Sequence, residues 1–361
     1  MKIIVYAICK NESKFAARWA SSMGEADEIY ALDTGSEDGT AALLRRAGVH
    51  VTEEIISPWR FDAARNRSLE LAPQDADICV CTDLDEVFEP GWRKHLEAAW
   101  KKDTCRAAYR YTWNFNPEGS EGHVFYLEKI HRRHGYKWTH PVHEVLEWQG
   151  EGEEKRITAE GVRLNHLADP RKSRAQYLPL LELSVREAPE DDRNMHYLGR
   201  EYFFYHRWDD CIRTLQRHLA LPKATWADER CASMRYIGKA YQHKGNEKEA
   251  EKWLWRAVAE APHLREPCMD LAKMYYLRKD WEALAYIASR ALAITARTRS
   301  YISESDAWGS TPWDYRTLGL YYTGRKREAL AAAEEVARLS PGNERLQKNA
   351  ALIRAAIEKD G

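Results

Sequence analysis

No stretch of this 361-residue chain approaches the roughly 20 consecutive apolar residues that would span a bilayer. The opening run Met1-Lys2-Ile3-Ile4-Val5-Tyr6-Ala7-Ile8 is too short for a secretory signal and passes into Lys10-Asn11-Glu12 without a cleavage pattern. A cytoplasmic protein is therefore expected. Cysteine is sparse and odd in number, seven in all, and the C-x-C spacing of Cys79 and Cys81 suits neither a zinc knuckle nor a redox pair. Reduced core thiols are the expectation. Net charge is nearly absent, at -1, but it is unevenly spread. Residues 1–170 carry 22 Lys and Arg against 29 Asp and Glu, whereas residues 171–361 carry 33 against 27. The basic excess of the second part is too small to argue for strong tracking of a nucleic-acid backbone.

What remains is an ordinary globular composition, long enough for two domains. In the first part, apolar β-branched runs at 2–8, 28–32 and 49–51 alternate with helical patterns, one carrying Phe15, Trp19 and Met23 at spacings of four and another over 41–47. Such alternation predicts an α/β domain with a parallel sheet, whose ligands bind beyond the carboxyl ends of the strands. Asp33 falls at one predicted strand end. The stretch Ile78-Cys79-Val80-Cys81-Thr82-Asp83-Leu84-Asp85-Glu86 delivers three carboxylates at another, before a break at Glu89-Pro90-Gly91. If the strand continues through them, Asp83 and Asp85 share a face and Leu84 turns away. Two carboxylates without a basic neighbour repel, and a hard divalent cation such as Mg²⁺ or Mn²⁺, itself carrying phosphate oxygens, relieves them. An acidic loop after a strand is the alternative reading. Between these ends, 61–71 reads as a helix in which small Ala63 and Ala64 beside Arg65 allow close backbone approach, although a helical arginine also often only solvates its face.

Four segments now carry a resemblance. Ile4-Val5-Tyr6-Ala7-Ile8-Cys9-Lys10-Asn11-Glu12, Ala31-Leu32-Asp33-Thr34-Gly35-Ser36-Glu37-Asp38-Gly39-Thr40, Ala63-Ala64-Arg65-Asn66 and Thr82-Asp83-Leu84-Asp85-Glu86 resemble, in order and rough spacing, the family 2 glycosyltransferases over about residues 1–170. The resemblance implies a GT-A, Rossmann-like α/β fold, a nucleotide-sugar donor (a UDP- or GDP-sugar) and transfer with inversion. It implies that Asp33 binds the base or ribose, with Asn11 and Glu12 on the same donor side and Arg65 nearby. Asp85 would hold Mn²⁺ or Mg²⁺ at the diphosphate, with Asp83 beside it near the ribose. The family often has two acids where this chain has Leu32-Asp33, which leaves base recognition less defined than metal binding. Independently, a departing diphosphate needs its charge stabilised, and an inverting transfer needs a base for the acceptor proton.

The base is sought further on. Alternating aromatics at 109–115 and the run at 123–130 predict two strands. Tyr136-Lys137-Trp138-Thr139-His140-Pro141-Val142-His143-Glu144 resembles a Val-His-Glu element of one branch of the family. On that likeness Glu144 is the candidate base, His143 its neighbour or substitute, and Arg132 the candidate for the departing diphosphate. A histidine cluster of this kind also occurs as plain structure. In 162–167 a short strand ends near His166, which by likeness to GT-A enzymes would complete the metal's coordination; a buried, hydrogen-bonded histidine is the alternative.

Beyond Asp169-Pro170-Arg171-Lys172-Ser173 strand signals stop and helical periodicity begins at 174, placing the domain boundary at 170/171. Small residues recur at Gly199, Gly238, Ala272 and Gly319, spaced 39, 34 and 47 apart, each amid aromatics. These units resemble tetratricopeptide (TPR) repeats, whose period is 34. The small residue would let paired helices approach, Pro262 and Pro341 would close second helices, and the extra residues 301–312 would form a loop on one face. The basic and aromatic segment from His196 to Trp208 suits stacking on bases or sugars, or simply the core between helices.

The expectation is thus a GT-A domain over 1–170 and an all-α TPR-like domain over 171–361. Its layout resembles bacterial peptide S-/O-glycosyltransferases, with a peptide, protein or glycan acceptor engaged by the repeats and a homodimer as the assembly. The alternatives are glycosyl transfer to modified nucleic-acid bases, or a non-catalytic nucleotide-sugar-binding scaffold.

Overall fold

The computed structural model describes residues 1–116, 119–169 and 175–360. They fall into two compact units, Met1–Glu187 and Ala188–Gly361. The expected boundary at 170/171 lies outside the described residues, and helix α5 (Tyr177–Glu187) belongs to the front unit rather than to the repeats.

The front unit is built on an eight-stranded sheet. Its strands are β1 (Ile3–Cys9), β2 (Glu28–Asp33), β3 (His50–Glu53), β4 (Ile78–Thr82), β5 (Glu86–Phe88), β6 (Arg106–Thr112), β7 (Val124–Arg132) and β10 (Arg156–His166); β8 (Tyr136–Thr139) and β9 (Val145–Trp148) pair separately. The sheet order is β3-β2-β1-β4-β7-β6-β10-β5. Every residue of β1 is buried, which is why it reads as an unbroken apolar run: it is central, parallel to β2 and β4, and covered on both faces. Alternate side chains serve the two faces. Ile3, Val5 and Ala7 join Phe15, Trp19 and Met23, from or beside helix α1 (Ser13–Ser22), while Ile4 and Tyr6 join Leu69 and Trp138 on the other side. Helix α2 (Thr40–Arg46) links β2 to β3, α3 (Phe61–Leu71) precedes β4, and α4 (Trp92–Ala99) precedes β6. Since the chain lays β2 and β3 on one side of β1 and β4 on the other, the strand order reverses at β1, and in sheets of this kind ligands bind beyond the carboxyl ends of the strands at such a reversal.

The second unit is helical throughout among the described residues. Helices α6 (Asp192–Phe204) and α7 (Trp208–Ala220), α8 (Ala227–His243) and α9 (Glu247–Glu260), α10 (Glu266–Arg278) and α11 (Trp281–Ala293), and α12 (Thr311–Tyr322) and α13 (Lys326–Leu339) form successive pairs, followed by α14 (Glu344–Asp360). A Cβ on Gly199 would lie 2.3 Å from Leu215 Cδ2, and one on Gly238 would lie 2.9 Å from Leu254 Cδ2, so these glycines do allow the partners of a pair to close together. Gly319 departs from that pattern: it faces the backbone of Ala285 in α11, the preceding pair. Pro262 and Pro341 each follow the end of a second helix, as expected. The residues between α11 and α12 lie along the first helices of the earlier pairs. There Tyr301 stacks on Tyr197 and donates to Glu229, Glu304 pairs with Arg235, and Trp308 donates to Glu266. The front of the aromatic segment is core, since His196, Tyr197 and Tyr202 are buried, whereas Phe204, Tyr205, His206 and Arg207 are exposed.

Candidate active site in the front unit

The loops after β1 and β2 are zipped together by side chain to backbone hydrogen bonds. Asn11, at φ 55°, donates its N–H to Ser36 Oγ at 2.8 Å, and its Oδ1 accepts from Glu37 N–H at 2.8 Å. The Glu12 N–H reaches Thr40 Oγ1 at 2.8 Å. Asp33 ends β2 buried, its Oδ1 accepting from the N–H groups of Gly35 and Ser36 at 3.0 and 2.7 Å. Its other oxygen is buried and takes no hydrogen bond among the described residues.

The acidic stretch differs from its sequence reading in two respects. Strand β4 stops at Thr82, so Asp83 and Asp85 lie in the turn before β5 and do not share a strand face. Nor do they lack basic neighbours. Asp83 Oδ1 accepts from Arg65 Nη2 at 2.6 Å and Asp83 Oδ2 from Lys129 Nζ at 3.3 Å. Burial works against charge here, but Arg65 and Lys129 hold the Asp83 carboxyl well below the ordinary carboxylate range. In return, against the same burial, Asp83 and then Glu86 raise the lysine above its usual value. Glu86 is fully enclosed: Tyr111 Oη donates to Oε1 and the Asp83 N–H to Oε2, each at 2.8 Å, and burial raises its pKa.

Arg65 is 3% exposed and bridges two acids, donating to Asp83 and, through Nε at 2.9 Å, to Glu144 Oε1. Ala64, fully buried against Ile8 and Leu32, seats α3 close enough to the sheet for this reach. The expected constrained arginine is therefore present, and Glu144 is brought to it across 79 residues. His143, at φ 52°, adjoins Glu144 and packs edge-on to Tyr177 at 5.6 Å.

Asp85 has a different partner. It is buried, and its Oδ2 lies 3.6 Å from His166 Nε2 at the end of β10. The other ring nitrogen of His166 meets the Trp113 carbonyl at 2.9 Å, and the ring lies against Tyr111 and Trp113. A histidine that donates Nδ1–H to a carbonyl turns a bare Nε2 lone pair toward the carboxylate, the arrangement metal-binding histidines use. The donor set of one carboxylate and one imidazole fits a divalent cation completed by phosphate and water oxygens. Asp83 fits it poorly, because both its oxygens are engaged by cationic side chains.

Arg132 is misplaced by the sequence reading. β7 runs antiparallel to β4 with Ile78 opposite Arg132 and Val80 opposite Ile130, so Arg132 sits at the start of β4, away from the acids. Its Nη1 faces Cys105 Sγ at 3.9 Å. The basic residue that β7 does bring to the acidic turn is Lys129, which the sequence reading did not single out. A lysine beside Ile130 in a run of apolar and aromatic residues was the available signal.

Residues 5–145 match the family model described as Glycosyl transferase family 2. A lipopolysaccharide core biosynthesis glycosyltransferase, LpsC, of Rhizobium meliloti (strain 1021) is 27% identical over 164 residues, covering 42% of this chain and 58% of that protein, less than two thirds of its length. Among solved structures, the C-terminal part of a TPR repeat-containing protein from Cytophaga hutchinsonii aligns over 52% of this chain and 67% of its own, with TM-score 0.42 and 14% identity. YrrB, described as a TPR protein with an unusual peptide-binding site, aligns over 49% of this chain and 84% of its own, with TM-score 0.40 and 15% identity. The strand order and the acids at the strand ends agree with the match of residues 5–145 to the glycosyl transferase family 2 model, and TPR-like helical repeats follow in the chain.

Proposed function

We propose that the protein is a metal-dependent, inverting glycosyltransferase that uses a nucleoside diphosphate sugar, a UDP- or GDP-sugar, and passes the sugar to a peptide, protein or glycan. The observation that carries the reading is the convergence, at the carboxyl ends of β1, β2 and β4, of Asp33 with an unused buried oxygen, the Arg65 bridge, and Asp85 facing His166. Asn11, Glu12 and Asp33 form the nucleoside end. Asp85 and His166 would hold Mn²⁺ or Mg²⁺, whose chemistry there is to neutralise the diphosphate as it leaves. Asp83 is kept ionised by Arg65 and Lys129 and is the acceptor for ribose hydroxyls rather than a second metal ligand. Glu144 is the base: Arg65 fixes Oε1 and so orients the carboxylate toward the acceptor hydroxyl or thiol whose proton it takes. Arg132 has no part in it.

All seven cysteines are free and buried, in keeping with the proposed cytoplasmic location. Among the described residues no helix is long and apolar enough to cross a membrane. For the acceptor, the exposed aromatics Tyr276, Tyr286 and Tyr322 of the repeat unit offer a surface on which a polypeptide or sugar can stack. The test is incubation of the full chain with a panel of nucleotide sugars and Mn²⁺, following release of the nucleoside diphosphate. Slow hydrolysis of one donor, abolished by a chelator and restored by Mn²⁺, is expected. Tight donor binding with no turnover under any acceptor would favour the scaffold reading instead.

A further inference from the structure

A second cluster of metal-ligating side chains lies wholly within the repeat unit. Asp192 opens α6, His218 lies near the end of α7 and Glu229 in the first turn of α8, and one ligand atom from each falls within 4.8 Å of the others. His218 is fully buried and Glu229 is 4% exposed. His218 Nδ1 meets Ser233 Oγ at 3.0 Å, and that hydroxyl meets His196 Nδ1 at 2.7 Å. Its Nε2 has no hydrogen-bond partner, yet it is aimed at Glu229 Oε1 at 3.5 Å.

That separation is informative. It is too long for a charge-assisted hydrogen bond, which would close to about 2.8 Å. Two ligands each about 2.1 Å from a tetrahedral zinc ion stand about 3.4 Å apart. In the tautomer that donates Nδ1–H to Ser233, the Nε2 lone pair confronts a carboxylate oxygen, and only a proton or a cation between them makes the contact favourable. A proton would satisfy His218 and Glu229 but not Asp192; a cation also accounts for Asp192, the third donor of the cluster. The remaining oxygen of Glu229 accepts from Tyr301 Oη at 2.7 Å, so the carboxylate is held from behind.

We propose that Asp192, His218 and Glu229 bind a divalent transition-metal ion of the zinc type, with Ser233 fixing the tautomer of the histidine. The ion staples three consecutive helices, α6, α7 and α8, and through Tyr301 the segment that lies across them. Its role is structural and separate from the front unit, so it stands whether or not the proposed transfer reaction does.

The experiment uses the full chain carrying Asp85→Ala, which removes the front carboxylate, stripped with a chelator and dialysed against zinc. One tightly held zinc per chain is expected, with a rise of several degrees in a thermal unfolding transition. His218→Gln and Glu229→Gln should each lose that zinc and the shift; Glu229→Gln, nearly isosteric, serves if the histidine variant folds poorly. Cobalt in place of zinc should give visible absorption in the parent and none in the variants. Absence of tightly bound zinc from the parent, or equal zinc content in parent and Glu229→Gln, would overturn the assignment. Because all seven thiols are buried, cysteine does not offer the metal a competing exposed site.

Discussion

His166 Nε2 stands 3.6 Å from Asp85 Oδ2, although 80 residues separate them, because β10 runs antiparallel to β5 with His166 opposite Glu86. The register therefore makes a pair out of two groups that a strand end and a distant histidine only suggest. If the pair holds the cation, either partner alone is insufficient. Asp85→Ala and His166→Ala should each weaken Mn²⁺-dependent binding of nucleoside diphosphate by at least about tenfold, the loss expected for one ligand. Metal-free nucleoside binding should change little. Calorimetry with and without Mn²⁺ separates the two effects; an undiminished metal dependence in both variants would exclude the pair.

Glu144 and Arg65 make a different kind of claim, about a proton rather than a charge. Glu144→Gln keeps the shape and a hydrogen-bonding oxygen for Arg65 but cannot take the acceptor proton. Transfer should fall by about 100-fold or more with donor affinity within about threefold of the parent. If affinity falls as much as turnover, Glu144 serves to hold Arg65 in place and the base lies elsewhere.

How far these sites could be read beforehand follows from how local their signals are. β1 and β4 announce themselves because a strand buried on both faces must be continuously apolar, and the small residues flanking Arg65 already implied close packing. The partners of Asp83 do not announce themselves. Lys129 comes 46 residues later on an antiparallel strand, and its position depends on a register that no local pattern records. The same register moves Arg132 to the far end of β4. β5 escaped notice for another reason: it has three residues, and its polar member, Glu86, is buried by Tyr111 from 25 positions away. In the repeats, Gly199 and Gly238 behave as the helix-pair pattern requires, whereas Gly319 looks the same in sequence but packs on the preceding pair.

Lys129 and Arg132 can be compared directly. Lys129→Gln leaves Asp83 paired with Arg65 and removes positive charge from the acidic turn; binding of the nucleotide sugar should drop about tenfold or more. Arg132→Gln, at the other end of the strand, should bind within about twofold of the parent. Reversal of that order would restore Arg132 to the site and remove the argument from register.

His131 supplies a pH dependence. It is fully buried with Tyr6 Oη at 2.8 Å from Nε2, and burial pushes its pKa down to about 3. An unfolded histidine titrates near about 6.5. Between those values the unfolded chain binds a proton that the folded chain refuses, so the stabilisation is complete above the unfolded value and is lost as pH falls toward the folded one. The slope is about 1.4 kcal/mol per pH unit, or about 2 kcal/mol between neutrality and about pH 5. His131→Phe forfeits the Tyr6 contact and is less stable at neutral pH. Its urea midpoint should nevertheless decline less steeply with acid, by about one proton. Parallel pH profiles for parent and variant would mean that His131 is protonated in the folded state.

Gly319 tests the packing of the repeats, because two effects of known sign oppose each other there. Replacing a helical glycine by alanine stabilises by about 1 kcal/mol where there is room. At Gly319 there is none: the added Cβ would stand 2.6 Å from Ala285 N and 2.8 Å from its Cα, backbone atoms that cannot rotate away. Overpacking of this kind costs about 1–3 kcal/mol, and helix-to-helix displacement puts this case toward the upper end. Gly319→Ala should therefore be net destabilising by about 1–2 kcal/mol in thermal or urea unfolding. Ala285→Gly should not rescue it, since the clashing atoms remain. Gly199→Ala provides the contrast, for its nearest neighbours are Leu215 Cδ2 and Cγ at 2.3 and 2.4 Å, and a double variant with Leu215→Ala should show a favourable coupling. A neutral or stabilising Gly319→Ala would mean that α11 and α12 stand further apart than described.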